Sequence, residues 1–218
     1  MKLIKYVLSF IVLLVLAGCS TTYITSTWRA PDAGMKKYGK IMVVGIVRQA
    51  DRTIRQQMEA HLAGDLKELG YHAVSSYEVY GPKAFQDMTE ERVNKKLAKD
   101  GVDAVLTVVL LDKQKEKHYV PGRVVFSPYI TYHRQFWGYY HSLYTRIEAP
   151  GYYEVTTRYF WESNFYDLTE GQLLYSVQTQ SFDPESVNML AHQYAQKIIQ
   201  SMVKSHLIEK QPDKEKAM

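Results

Sequence analysis

Two continuous apolar runs stand out along the middle of the chain. Residues 41–47 and 104–111 are rich in β-branched side chains and are bounded by polar residues. Such runs are typical of strands that are buried on both faces, as in a sheet covered by helices on both sides. The second run continues into a segment in which Lys113, Lys115 and Lys117 alternate, so a strand would place them on one face. These lysines could bind lipid headgroups, or they could prevent an exposed strand edge from pairing with another chain, and we favour the second interpretation.

Between the two runs, apolar residues recur at helical spacing. Residues 51–69 are predicted as a helix that ends at Gly70, with an inner face formed by Ile54, Met58, Leu62, Leu66 and Leu69. Residues 71–77 are predicted as a second strand. Thr89 is expected to cap a second helix, which ends at Gly101.

After residue 152 the pattern changes, and apolar and polar residues alternate along the chain. Residues 153–165 and 173–180 alternate in this way around a turn that contains Asp167 and Gly171, which predicts a hairpin of half-buried strands. Asp183 is then expected to cap a last helix with Leu190, Tyr194 and Ile198 on its inner side.

The element order is therefore β-α-β-α-β-β-β-α. It predicts a single α/β domain with a mixed sheet of about five strands covered by about three helices. The expected domain spans residues 37–208 and carries an insertion at 118–151 after its third strand. It is preceded by a tether at 19–36 in which a short strand near residues 22–28 is possible, and residues 209–218 are expected to be a disordered tail.

The first nineteen residues have the organisation of an export signal. Lys2 and Lys5 precede an 11-residue apolar run at 6–16, too short for the roughly 20 residues of a bilayer-spanning helix. The run ends in Leu-Ala-Gly-Cys at 16–19, which resembles the lipobox of bacterial lipoproteins. The resemblance implies that residues 1–18 are a cleaved signal peptide and that Cys19 is acylated. Ser20, by similarity to lipoprotein sorting, implies the periplasmic face of the outer membrane.

Charge and cysteine content narrow the possible partners. Removal of residues 1–18 leaves 25 Lys and Arg against 23 Asp and Glu, and this near-neutral balance has no basic arm for nucleic acid. Cys19 is the single cysteine, so no intramolecular disulfide exists. The partner that the sequence indicates most directly is a membrane, to which the chain would be attached through Cys19.

Several passages together resemble a family of bacterial lipoproteins of unknown function. They are GKIMVVGIV, RQQMEAHLAGDLKELGYHAV, LAKDGVDAVLTVVL, YVPG, ESNFYDLTEGQLLYS and SFDPES, which span nearly all of the mature chain. Members of that family share a Trp-Arg-x-Pro segment near the anchor and a Tyr/Gly-rich insertion after the third strand. At the level of element order alone, the chain is also similar to the periplasmic domain of the curli secretion lipoprotein and to the amino-terminal domain of TolB.

Aromatic residues are concentrated around the insertion. Residues 119–166 hold 16 of the 28 Phe, Trp and Tyr residues. Rings at such density suit a protein interface, a platform for sugar rings or a membrane contact, and the alternative is that they pack on the domain. We predict a partner-binding surface, for an envelope protein or peptidoglycan, formed by Phe136, Trp137, Tyr139, Tyr140 and Tyr144.

Catalytic motifs are absent from the sequence: it has no nucleophile elbow, P-loop, dinucleotide fingerprint or His-Glu-x-x-His. The best polar constellation is His118, His133, His141 and Glu148, whose spacing matches no metal-ligand pattern. We therefore predict a protein without enzymatic activity, metal or cofactor. The alternatives are a small envelope enzyme acting on glycan or peptide through these histidines, and an oligomeric secretion or assembly component.

Overall fold

The computed structural model describes residues 21–120 and 152–211 of the chain. In these residues six strands form one sheet in the order β1-β6-β5-β4-β2-β3, and four helices accompany it. The strands are β1 Thr22–Arg29, β2 Ile41–Ile46, β3 Ala73–Ser75, β4 Ala104–Val120, β5 Tyr152–Asp167 and β6 Gln172–Phe182. The helices are α1 Arg52–Glu68, α2 Ser76–Tyr80, α3 Glu90–Lys99 and α4 Val187–Lys204. The predicted α/β class with a single mixed sheet is confirmed.

The parallel part of the sheet is built on β2. This strand pairs in parallel with β3 on one side, with Ile41 opposite Ala73, and with β4 on the other, with Ile41 opposite Ala104. Because side chains alternate along a strand, Ile41 and Val43 enter one core while Met42 enters a second core on the opposite face. Both faces of β2 are therefore buried, which explains why its sequence is a continuous apolar run.

The larger core lies between the sheet and the two long helices. α1 and α4 pack against each other and against the sheet, and this core contains Trp161, Phe165, Tyr175 and Tyr194, all fully or almost fully buried. The Tyr194 hydroxyl lies 2.8 Å from Ser163 Oγ, which satisfies both polar groups inside the core. The smaller core, on the other face, joins Met42 and Val105 to Leu97 of α3.

The predicted hairpin is present as β5 and β6. Asp167 organises its turn, since its Oδ1 accepts hydrogen bonds from the Thr169 amide at 2.8 Å and the Glu170 amide at 3.2 Å. Gly171 closes the turn with φ 66°, a conformation that favours glycine. Four residues separate the two neighbouring strands, so the pair is antiparallel.

Two predictions about where elements begin and end differ from the structure. The strand expected at 71–77 is limited to Ala73–Ser75, because the Ser75 side chain accepts a hydrogen bond from the Glu78 amide and begins α2. Asp183 does not cap the last helix: it has φ 37°, and Ser186 caps α4 by accepting a hydrogen bond from the Met189 amide.

The folded part also extends further in both directions than residues 37–208. The short strand considered possible near residues 22–28 of the tether is present as β1, which pairs antiparallel with β6. At the other end, the Gln211 amide donates to the Leu69 carbonyl at 2.7 Å and the Glu209 amide donates to the Tyr71 hydroxyl at 3.2 Å. The beginning of the expected disordered tail is thus hydrogen-bonded to the end of α1 and the residue that follows Gly70.

The chain divides into two compact units. One consists of Met1–Lys113 with Tyr159–Met218, and the other of Gln114–Arg158. The described residues of the second unit are the outer ends of β4 and β5, at 114–120 and 152–158. Within the described ranges, each helix falls short of the length and apolar character that a bilayer crossing requires.

Candidate functional site

The first described residue, Thr21, is held on the last helix. Its amide and its hydroxyl both donate to Gln193 Oε1 of α4, at 3.1 and 2.8 Å. Thr22 is buried, and its hydroxyl lies 2.9 Å from Ser181 Oγ of β6. The chain is therefore fixed to the domain only two residues after Cys19.

Strand β1 exposes large apolar side chains although it belongs to the sheet. Tyr23 is 56% exposed, Trp28 48% and Ile24 38%. Ile24 lies opposite the buried Thr179 and shares its helix-covered face, whereas Tyr23 and Trp28 lie opposite Gln180 and Ser176 on the other face. The Tyr23 ring meets the Phe182 ring edge to face, with centroids 6.0 Å apart. Exposed rings and an exposed isoleucine thus flank the outer edge of β1 from both sides.

A shallow groove of about 250 Å³ runs between β1 and α4. Its lining combines the apolar start of β1 with two lysines, Lys197 and Lys204. No aspartate or glutamate occurs in β1, β6 or α4, so the formal charges of these three elements are Arg29 and the two lysines. Carboxylates lie close to these elements along the chain: Asp32 after β1, Glu170 before β6, Asp183 and Glu185 before α4, and Glu209 five residues after Lys204. We call the surface formed by Tyr23, Ile24, Trp28, Lys197 and Lys204 the β1–α4 edge.

The described strand ends that flank the insertion are also aromatic. Tyr119 is 58% exposed, Tyr152 61% and Tyr153 69%, and the rings of Tyr119 and Tyr153 are 5.3 Å apart. In the same unit, Glu116 Oε2 lies 3.4 Å from Arg158 Nη2. Exposed tyrosines therefore lie on two neighbouring strands, with Tyr119 at the start of the insertion at 118–151 and with Tyr152 and Tyr153 directly after it.

Most of the predicted site residues lie outside the described ranges. These are Cys19 with the signal peptide, the aromatic set Phe136, Trp137, Tyr139, Tyr140 and Tyr144, and the polar residues His133, His141 and Glu148. The described member of the polar set is His118. Its ring is largely exposed, with Nε2 3.4 Å from Glu116 Oε2.

The lysine row on β4 separates into two kinds of residue. Lys113 is mostly buried: its ammonium lies 3.1 Å from Asp51 Oδ1 and 5.2 Å from the centre of the Tyr159 ring. Lys115 and Lys117 are exposed. Lys113 therefore has a role in packing, which the alternation alone did not indicate.

Two histidines that sequence analysis did not select meet on the outer side of α1 and α4. The rings of His61 and His192 have centroids 5.6 Å apart, and His61 Nε2 lies 2.8 Å from Asn188 Oδ1. They line an open cavity of about 430 Å³ with Asp65 and Glu68. Burial and then the charge of Glu68 raise the pKa of Asp65. Among the described residues, no three His, Cys, Asp or Glu side chains are grouped so that they could hold a metal.

Of the carboxylates in the described ranges, Glu59 of α1 is the most buried and has no solvent exposure. Its oxygens accept hydrogen bonds from the Gly45 amide, Arg55 Nε, Ser75 Oγ and the Tyr77 amide at 2.7–2.8 Å, and from Ser76 Oγ at 3.0 Å. A Cβ at Gly45 would lie 2.6 Å from Arg55 Cγ, so glycine is required for this approach. The carboxylate is saturated with structural donors and joins α1 to the ends of β2 and β3.

A cleft of about 650 Å³ lies beside α3 and is lined by Asp103 and Asp167 among other residues. Both carboxylates are engaged in the fold. Asp103 accepts from the Gly39 and Lys40 amides at 2.6 and 3.0 Å, and Asp167 accepts from Lys36 Nζ at 2.6 Å. Asp103 and Asp167 therefore hold loops of the fold in place, and Glu90 of α3 lines the same cleft.

A scan against protein-family models and a search of curated proteins return no match for this chain. Among solved structures, the chain is similar to the PelC dodecamer from Paraburkholderia phytofirmans, with a TM-score of 0.45, 10% identity, and 87% of this chain and 99% of that chain covered. It is also similar to lipoprotein GNA1162 from Neisseria meningitidis, with a TM-score of 0.42, 16% identity, and 76% and 99% covered. Both TM-scores are below 0.5, so the function is argued from the chain's own residues.

Proposed function

We propose that this chain is a lipoprotein of the bacterial envelope that binds a partner without catalysing a reaction. In this proposal Cys19 carries the acyl chains and anchors the domain to the periplasmic face of the outer membrane. The insertion at 118–151 then binds an envelope protein or peptidoglycan. The observation that carries the proposal is the position of the lipobox, which ends two residues before Thr21, the first described residue, which is hydrogen-bonded to α4.

This position makes the anchor part of the domain's architecture. One amino-acid residue spans at most about 3.6 Å, so the three residue steps from Cys19 to Thr22 cover no more than about 11 Å. An acylated Cys19 would hold the start of β1 at the membrane surface rather than at the end of a long tether. Two or more acyl chains make such anchoring stable.

A role in binding rather than catalysis is supported by how the buried acidic groups are used. Glu59 and Asp167 have almost no exposed surface, and each is surrounded by hydrogen-bond donors of the fold. A catalytic acid or base needs to reach a substrate, and neither carboxylate is free to do so. The exposed His118 lies beside Glu116, with its Nε2 3.4 Å from Glu116 Oε2.

Partner binding through the insertion is supported by its borders. Tyr119, Tyr152 and Tyr153 are exposed on two strands that lead into and out of it. Tyrosine combines a large apolar ring with a polar hydroxyl, and such residues are enriched in binding surfaces that remain partly wet. The borders thus have the composition predicted for Phe136, Trp137, Tyr139, Tyr140 and Tyr144 within the insertion.

Acylation and location are tested by metabolic labelling with palmitate followed by membrane fractionation. The native chain is expected to incorporate label and to fractionate with the outer membrane, whereas Cys19→Ala is expected to do neither. A Cys19→Ala protein that is still cleaved and still found in the outer membrane would refute the anchor. Ser20→Asp provides a matched control of location, since it retains the thiol and is expected to move the labelled protein to the inner membrane.

The partner is tested by placing a photo-crosslinking amino acid at Tyr140 in intact cells. A discrete adduct is expected, either a protein of defined mass or material that lysozyme releases from peptidoglycan. The same amino acid at Lys99, an exposed position on α3, is the control and is expected to give no such adduct. Equal patterns at the two positions would refute a binding surface in the insertion.

A further inference from the structure

We propose that the β1–α4 edge is a membrane-docking surface that lies on the phospholipid headgroups of the bilayer to which the protein is anchored. This inference rests on the proposed acylation of Cys19 and adds the orientation of the domain. It follows from the place where the anchor joins the fold, the side chains exposed there and their charge.

The anchor leaves the outer strand of the sheet little freedom to move away from the membrane. Thr21 is bonded to Gln193, and β1 is the terminal strand of the sheet among the described residues. With Cys19 in the bilayer, the start of this strand is within about 11 Å of the acylated residue, as the reach of three residues requires. Tyr23 and Ile24, which follow at once, are therefore brought to headgroup depth.

The exposed side chains of the edge match that depth. Tyr23 and Trp28 are exposed on one side of β1 and Ile24 on the other. Tyrosine and tryptophan are enriched at membrane–water interfaces, because their rings are apolar and their O–H and N–H groups remain hydrated. Contact between the outer edge of β1 and the membrane would bury all three side chains at once. Away from the membrane, the same side chains are exposed to water.

The positive charges of the β1–α4 edge favour an anionic surface as its binding partner. Lys197 and Lys204 line the groove beside Tyr23 and Ile24, and Arg29 ends the same strand. The three elements β1, β6 and α4 contribute no carboxylate, although the whole chain has 23. Lysines spaced along one helix and accompanied by interfacial aromatics fit a row of lipid phosphates.

The backbone of β1 limits how deep the edge can go. The terminal strand of a sheet presents backbone N–H and C=O groups along its outer side, and these are costly to place in hydrocarbon. The headgroup layer supplies water and phosphate oxygens as partners. The docked edge is therefore expected at the top of the acyl chains and not near the bilayer centre.

The test uses the full acylated chain in vesicles of phosphatidylethanolamine and phosphatidylglycerol. Cys19 is the single native cysteine and its sulfur is consumed by the thioether, so a fluorophore can be placed on Ile24→Cys alone. Lipids brominated near the top of the acyl chains are expected to quench this fluorophore strongly, and lipids brominated near the chain ends weakly. The control is Lys99→Cys on α3, across the sheet from α4, which is expected to remain unquenched.

The charge contribution is tested with Lys197→Gln and Lys204→Gln in the Ile24→Cys protein. Each lost cation is expected to lower the docking equilibrium constant about fivefold. Lys67→Gln, on the exposed end of α1, is expected to leave it unchanged. Unchanged quenching in both groove variants would overturn the assignment of the lysines to lipid phosphates.

Other outcomes would overturn the docking surface itself. If the fluorophores at positions 24 and 99 are equally unquenched, the edge does not touch lipid. If the fluorescence at 24 instead decreases with protein density in vesicles that contain no brominated lipid, self-quenching between fluorophores shows that the occupant is a second copy of the chain. In both cases palmitate on Cys19 would leave the anchor intact, so the failure of docking is distinguishable from the failure of the proposed function.

Discussion

Thr21 donates two hydrogen bonds to a single oxygen of Gln193, one from its amide and one from its hydroxyl. The two residues are 172 positions apart in the sequence. This contact joins the first described residue to the last helix, next to the proposed anchor. It fixes the position of Thr21, which follows Cys19 by two residues.

Gln193→Ala is expected to loosen the start of β1 without unfolding the domain. The loss of a hydrogen bond typically costs about 1 kcal/mol, and here an amide and a hydroxyl both lose their acceptor. Amide hydrogen exchange at Thr21 and its neighbours in β1 is expected to accelerate. Gln196→Ala, on the same helix but outside this contact, is the control, and equal exchange in the two variants would contradict the assigned role.

Glu59→Ala is expected to destabilise the whole domain. Removing one member of a buried ion pair typically costs about 3–5 kcal/mol, because Arg55 and the other donors remain buried without their acceptor. Equilibrium unfolding in urea measures the change. Glu68→Ala, at the exposed end of the same helix, is expected to alter stability by less than about 0.5 kcal/mol. Similar midpoints for the two variants would show that the buried cluster is dispensable.

Asp167 is expected to make the domain sensitive to acid. Burial by itself would raise the pKa of Asp167, but hydrogen bonds from Lys36, Thr169 and the Glu170 amide outweigh it and hold the pKa below its ordinary value of 3.8. A lowered carboxyl pKa contributes stability that is present above about pH 4 and is lost as the pH falls through the folded-state pKa. The free energy of unfolding should therefore decrease on acidification below pH 4.

Asp167→Asn is expected to flatten this acid dependence and to lower stability at neutral pH by about 1–3 kcal/mol. Lys36→Met provides the matched control, since it removes the ion pair but leaves the turn bonds from Thr169 and Glu170. It should retain part of the acid dependence. If the free energy of unfolding decreases equally below pH 4 in the native protein and in Asp167→Asn, the acid sensitivity comes from other carboxylates.

Truncation of Trp161 is expected to lower the stability of the domain, whereas truncation of Trp137 is expected to affect partner binding. Trp161→Ala removes a fully buried ring and is expected to cost about 3–5 kcal/mol of folding free energy. Trp137→Ala combined with Tyr140→Ala is expected to shift the melting temperature only slightly while it abolishes the crosslink through the insertion. A large loss of stability in the double variant would mean that these rings pack in the domain, and the proposed binding surface would have to be abandoned.

The sequence by itself determined the order of the main elements and the position of the anchor motif. Local periodicity is enough for this, since a strand buried on two faces must be apolar throughout and an amphipathic helix must repeat its apolar residues every three to four positions. Residues 41–47, the helix that ends at Gly70 and the hairpin around Asp167 were predictable for that reason. Asp183 misled the prediction because a cap depends on backbone conformation, which the residue type only favours.

Only the tertiary structure decided which distant residues form a surface. Thr22 lies opposite Ser181, so the segment after the proposed anchor becomes the outer strand of the sheet among the described residues, and Ile24 shares a groove with Lys197 and Lys204. Strand pairing and helix packing join residues that no local pattern relates, and the energy that fixes them comes from burial across the whole domain. The anchor motif could therefore be recognised in the sequence. The surface beside it forms only when β1, β6 and α4 pack together, so it could not be predicted from the sequence.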